Sequence, residues 1–132
     1  MAAPTVTQRT LGETLTTVTR QITIATGGDT DLTATNVGDV STFTVGGTFN
    51  RLGINKVSCA LDGFSGVLNF DADTDVPAIN LVGYASFDFS DFIHGIPNNA
   101  GAGVTGDVFL ATNGVGTADS GSIIVEYVKY TA

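Results

Sequence analysis

Long charged side chains are scarce in this chain. Lys and Arg number five and Asp and Glu thirteen in 132 residues, for a net charge of −8. That balance excludes a binder that tracks nucleic-acid phosphates and argues against docking on an anionic membrane, while leaving basic partners open. Cysteine occurs once, as Cys59, so no intrachain disulfide can form and a stapled secreted scaffold is excluded. In the run Val57-Ser58-Cys59-Ala60-Leu61 it reads as a small core residue. Tryptophan is absent, which removes the best stacking platform for a sugar. No apolar run approaches the about 18 residues of a membrane helix. Met1-Ala2-Ala3-Pro4-Thr5 lacks the basic start and apolar stretch of a signal peptide, so the expectation is a chain made in the cytoplasm and kept in solution. Helix signals are almost missing, and without crossover helices a parallel α/β sheet is excluded.

What remains is the composition of one β domain. Charged residues make up 14%, against about a quarter in an ordinary soluble chain, so Thr, Ser, Asn, Gly and small apolar side chains must cover much of the surface. Fifteen of the twenty Thr lie at or before Thr48, and these β-branched residues favour a pleated strand. Strand candidates follow at 16–24, 30–35, 40–45, 52–61, 67–70, 78–83, 84–89, 107–112 and 122–130. The first alternates, with Val18, Arg20, Ile22 and Ile24 on one face, where Arg20 is the misfit. Gly27-Gly28-Asp29, Gly46-Gly47 and Asp62-Gly63 read as turns that end strands. The last candidate is apolar on both faces apart from Glu126, as expected of a central strand covered on both sides. The expected fold is an all-β antiparallel sandwich or jelly roll of about eight strands, a single domain over 16–132. Residues 1–15 show no core pattern and read as an extended N-terminal arm.

Chemistry finds little purchase. Gly101-Ala102-Gly103-Val104-Thr105-Gly106 matches the glycine spacing of a dinucleotide turn. That turn needs a strand before it and a helix after it, whereas a Pro-Asn-Asn loop precedes and a strand candidate follows. Asp71, Asp73 and Asp75 alternate like the start of an EF-hand loop, yet Val76 and Val82 stand where that loop needs Gly and Glu. A solvated acidic turn ending at Pro77 is the favoured reading, with a calcium site of other geometry left open. His94 lies between Phe92-Ile93 and Gly95-Ile96-Pro97 with no triad spacing to Asp88 or Asp91. Those two acids alone do not make a glycosidase pair. Tyr84, Phe87, Phe89 and Phe92 read as core aromatics. The expectation is a chain that is not an enzyme and that uses neither cofactor nor metal.

From about Leu61 onward, several stretches carry a resemblance. They are Val67-Leu68-Asn69-Phe70-Asp71-Ala72-Asp73-Thr74-Asp75-Val76, Gly83-Tyr84-Ala85-Ser86-Phe87-Asp88-Phe89, Gly95-Ile96-Pro97-Asn98-Asn99, Gly103-Val104-Thr105-Gly106-Asp107-Val108 and the closing run Gly121 to Lys129. Together they resemble small all-β virion structural proteins of tailed marine bacteriophages, chiefly those of cyanobacteria. Phe70 and His94-Gly95 depart from that family's usual Trp and glycine pair. The resemblance implies a virion component made in the host cytoplasm, a capsid decoration (cement) protein bridging capsomers on the outside of the shell. Its partners would be the major capsid protein or another virion protein and further copies of itself, as a trimer or dimer. A neck, tail or fibre component is the alternative, acting as a receptor- or glycan-binding module through the 93–106 loop. Candidate partner contacts are Arg9, Arg20, His94, Pro97, Asn98 and Asn99.

Overall fold

The computed structural model describes residues 3–25 and 27–131. Among these residues seven strands form, β1 (Val6–Glu13), β2 (Thr17–Ile24), β3 (Thr35–Gly38), β4 (Arg51–Phe70), β5 (Val76–Asp88), β6 (Val108–Asn113) and β7 (Ser120–Tyr130), with one 3₁₀ turn at Val40–Thr42. All pairings are antiparallel. The order is β1-β2-β7-β4-β6-β3, with β5 along the other side of β4, and the sheet curls into a sandwich-like half-barrel. The fold is therefore all-β and antiparallel, as the alternation implied. The accessible surface of 6431 Å² is what a compact chain of this mass exposes.

The long strand β4 organises the molecule. Arg51 to Asp62 pair with β7, Ser65 to Phe70 pair with β6, and β5 follows both stretches. Between the pairs Ala60↔Tyr84 and Ser65↔Val82, the segment from Leu61 to Phe64 faces only Gly83, and Gly63 takes φ +92°. This bulge turns the strand from one half of the sheet into the other, as corner strands of packed sheets do. A second irregularity lies between Ile54 and Lys56. The inward side chains accordingly change phase twice, from Leu52 and Ile54 to Val57, Cys59 and Leu61, then to Phe64, Leu68 and Phe70, all buried. Each such Leu, Ile or Phe contributes about 1.5–3 kcal/mol by leaving water. The two candidates 52–61 and 67–70 are thus one strand, as are 78–83 and 84–89, because a glycine in the left-handed region bends a paired strand without ending it.

Other expectations change for local reasons. The segment 1–15, expected as an arm, is from Val6 to Glu13 the sheet's edge strand, paired along its length with β2; Met1 and Ala2 lie outside the described residues. Its side chains are exposed or half-buried, so backbone pairing and a few polar anchors hold it, and no apolar period marks it. The candidate 40–45 loses to capping chemistry. Asp39 accepts hydrogen bonds from the Ser41 amide (2.9 Å) and hydroxyl (2.6 Å) and starts the 3₁₀ turn, the local competition that Asp offers a strand. Within 30–35, Leu32 exchanges backbone and side-chain bonds with Thr112 alone, and strand pairing begins only at Thr35. Strand β7 is central, but only one of its faces is fully covered. Ile123, Val125, Tyr127 and Lys129 point inward, while Ile124 is 40% exposed.

Tyr127 anchors the interior. Its hydroxyl donates to the Val37 carbonyl at 3.0 Å, its ring lies 6.5 Å from that of Phe43, and complete burial drives its pKa far above the ordinary phenol value. Cys59 is buried, as expected, with Sγ 3.6 Å from the Gly83 carbonyl. Among the described residues no helix is long and apolar enough to cross a membrane.

Candidate interaction site

The loop after β5 forms a ridge on the surface. Asp88 accepts the Ser90 amide at 2.8 Å, and hydrogen bonds from Ser90 hold the Asp88 carboxyl below its usual range. The turn continues with Phe92 N–H donating to Phe89 O and Gly95 N–H to Phe92 O, both at 3.1 Å. The chain then docks on β4 through a two-way bridge, Ile54 N–H to Ile96 O at 3.0 Å and Ile96 N–H to Ile54 O at 2.7 Å. Such close contact requires Gly53, where a Cβ would lie 2.2 Å from the His94 carbonyl oxygen. Phe89 N–H also reaches Asn55 O at 2.7 Å, so both ends of the loop are pinned to β4 and its tip projects.

At that tip Phe92 is 65% and Ile93 88% exposed. Beside them opens a hollow of about 350 Å³, lined by Phe89 and residues 92–97 and almost wholly apolar. A second hollow of mixed character includes Asp91, Ser90, Asn55, Thr16, Thr17 and Val128 and shares Phe92, Ile93 and His94 with the first. The His94 ring stacks on Tyr130, 3.9 Å between centroids and 8° from parallel; among the described residues its buried Nδ1 has no hydrogen-bond partner. The Tyr130 hydroxyl in turn accepts the Asn98 amide at 2.6 Å and donates to the Asn98 carbonyl, which also receives Arg51 at 2.6 Å. Burial raises the Tyr130 pKa against the opposing pull of these neighbours.

The structure therefore brings His94, Pro97, Asn98 and Asn99 onto one loop but gives them different roles. His94 and Pro97 line the apolar hollow. Asn98, 1% exposed, is a brace behind the ridge, and Asn99 is exposed beyond it. Arg9 and Arg20 belong to the β1–β2 hairpin. Arg9 Nε donates to Gln21 at 2.6 Å, and Arg20 donates to Thr10 at 2.7 Å and Gln8 at 3.1 Å while lying 5.8 Å over the Phe43 ring. The misfit on the inner face is thus a lid on the core that also ties down β1.

The aromatic run expected in the core lies largely outside it. Tyr84 is 81% exposed and Phe87 37%, while Phe89, stacked 6.2 Å from Phe87, is half-buried and packs against the core as expected. The sequence does carry a signal for this: Asp88, Ser90 and Asp91, turn formers, punctuate the run and break its strand period. The glycine loop 101–106 packs against the acidic turn, Thr105 donating to Asp71 at 2.7 Å and Asp73 N–H to Ala102 O at 2.9 Å. Asp75 accepts the Ala72 amide at 3.1 Å. Among the described residues no three His, Cys, Asp or Glu side chains gather as a metal site would need. No protein-family model and no curated protein matches the chain.

Proposed function

We propose that this chain is a non-catalytic structural subunit of a larger assembly, a virion component of the capsid-decoration kind, whose contact with its neighbours is the 89–97 ridge. The observation that carries the reading is the ridge itself. Phe92 and Ile93 stand 65% and 88% exposed beside an apolar hollow, and bulky apolar groups of that kind are the anchors on which protein interfaces concentrate their binding energy. The low charge of the surface supports it, because Thr, Ser, Gly and Ala lose little side-chain entropy when they pack. The virion setting rests on the resemblance of the turn and strand-end motifs. The alternative, a glycan-binding fibre module, has less support, since sugar recognition needs convergent polar groups and this hollow offers scarcely any.

The test is to purify intact virions that contain the chain and count its copies against the main shell protein by quantitative mass spectrometry and imaging. Hundreds of ordered copies on the shell are expected. A dozen or fewer at a vertex, neck or tail would move the protein to the alternative position, and its absence from particles would end the virion reading.

A further inference from the structure

The two hollows that flank the ridge differ in chemistry. One is apolar, between Phe89 and Pro97, and the other is mixed, with Asp91 and Lys129 both in its lining. An ammonium has three hydrogens to give, and Lys129 gives all of its own elsewhere, to Glu13 at 2.6 Å, the Thr14 carbonyl at 2.8 Å and the Val45 carbonyl at 2.7 Å. Asp91 is exposed, and among the described residues no ion pair reaches it. A carboxylate with no ion pair among the described residues therefore lines one hollow, and the apolar hollow shares Phe92, Ile93 and His94 with it.

We infer that the ridge receives a polypeptide segment of a partner protein, carrying one bulky apolar side chain for the hollow and one lysine or arginine for Asp91. This deepens the assembly reading and rests on it. An extended segment places residues i and i+2 about 7 Å apart on one side, a spacing suited to straddling a single loop. Charge selects the partner: the chain carries −8, and a basic segment is both steered to it and held. A second copy of this chain is a poor occupant, because it carries the same charge of −8 and like charges repel. Of its cations, Arg20, Arg51 and Lys129 are hydrogen-bonded within their own fold, which leaves only the exposed Arg9 and Lys56 to offer.

Three blocked heptapeptides test this by amide chemical-shift mapping on the full chain: Gly-Gly-Leu-Gly-Arg-Gly-Gly, the same with Glu for Arg, and the same with Ala for Leu. The Leu/Arg peptide is expected to shift the amides of Asp91, Phe92, Ile93 and His94, and to bind about tenfold more weakly to Asp91→Asn, the loss of one charge-assisted contact. The other two peptides are expected to bind at least about tenfold more weakly to the unaltered chain. Equal binding of all three, binding elsewhere, or no binding overturns the inference. So does a concentration-dependent mass in sedimentation that Ile93→Asp abolishes, because the occupant is then a second copy. Both substitutions are at exposed side chains, and circular dichroism checks that they fold. Incorporation into virions separates the two levels. Loss with Ile93→Asp but not Asp91→Asn keeps the ridge as the assembly contact and removes the cation; retention with both removes the ridge.

Discussion

Lys129 is 6% exposed on the inward side of β7, in phase with Ile123, Val125 and Tyr127. Such a position is tenable only because its ammonium is fully partnered and its stem lies against apolar surface, with Nζ 5.5 Å from the Phe49 ring. Through Glu13 it clamps the end of the edge strand β1, which otherwise buries little, to the centre of the sheet. Lys129→Ala should therefore lower the unfolding free energy by about 1.5–3 kcal/mol, the worth of charge-assisted hydrogen bonds from a buried ammonium to a half-buried carboxylate and two carbonyls, measured by urea denaturation. Glu13→Gln should cost less, because its amide oxygen still accepts from the ammonium. Burial alone would raise the Glu13 pKa, but the Lys129 bond and the Val45 amide outweigh it and bring the value below 4.5. The contribution of that lowered carboxylate is present above pH 4.5 and fades as pH falls through its folded value, so the gap between native chain and Glu13→Gln should close on acidification. A loss for Lys129→Ala below about 1 kcal/mol would show that the clamp is incidental.

Gly63 decides the path of β4, and its neighbourhood explains why a strand of this length crosses a dipeptide that usually marks a turn. A Cβ at Gly63 would lie 2.1 Å from Asp119 Oδ1, and the other oxygen of that carboxylate accepts the Gly116 amide at 2.8 Å. Gly63→Ala should cost about 2–3 kcal/mol, positive-φ strain plus the displaced cap. Gly83→Ala, also at positive φ but with open space around it, should cost about 1 kcal/mol. Equal losses in thermal or urea unfolding would remove the Asp119 argument. The same elements show how far sequence reaches. Alternation placed Val18, Ile22 and Ile24, then Val57, Cys59 and Leu61, on the buried side, because a half-covered strand writes its period into its residues. It was silent on β1, where pairing is by backbone, and misleading at Asp62-Gly63, where the sheet continues by changing partner. At the ridge the residues were legible as a loop from 93 onward, but Phe92 was assigned to the core, since hydrophobicity alone does not distinguish a buried aromatic from one kept exposed.

For the whole molecule the local bonds compete with the field of the net charge. Glu13, Asp31 and Asp88 all have lowered pKa values: at Glu13 the Lys129 and Val45 bonds overcome burial, at Asp31 the Val115 and Gly114 amides dominate, and at Asp88 the Ser90 bonds do. Their stabilisation is complete above their unfolded values of 4.5 and 3.8 and is lost as pH falls through the folded ones. Asp107 runs the other way. Burial, with Asp39 and Asp71, raises its pKa despite the Val40 and Asn36 bonds, so its share is full at low pH and is lost as pH rises through that raised value. Acidification toward the isoelectric point of about 4.1 also relieves the repulsion of −8 charges, which opposes the acid loss. Salt separates the two, since the screening length is about 8 Å at 0.15 M and shorter at higher ionic strength, while the carboxylate bonds to Lys129, Val115 and Ser90 span 2.6, 3.0 and 2.8 Å. At the alkaline end burial raises both Tyr127 and Tyr130 above 10.0, and their contribution, present below pH 10, is lost as pH rises through the folded values. In about 0.5 M salt the urea midpoint should therefore hold level through neutrality, fall below pH 4.5 and fall again above pH 10, with a blunter acid limb at low salt. A midpoint that climbs steadily from neutral pH to below 4 in high salt would mean that Asp107 outweighs the three lowered carboxylates, and that the clamp on β1 is a minor part of what keeps the sheet closed.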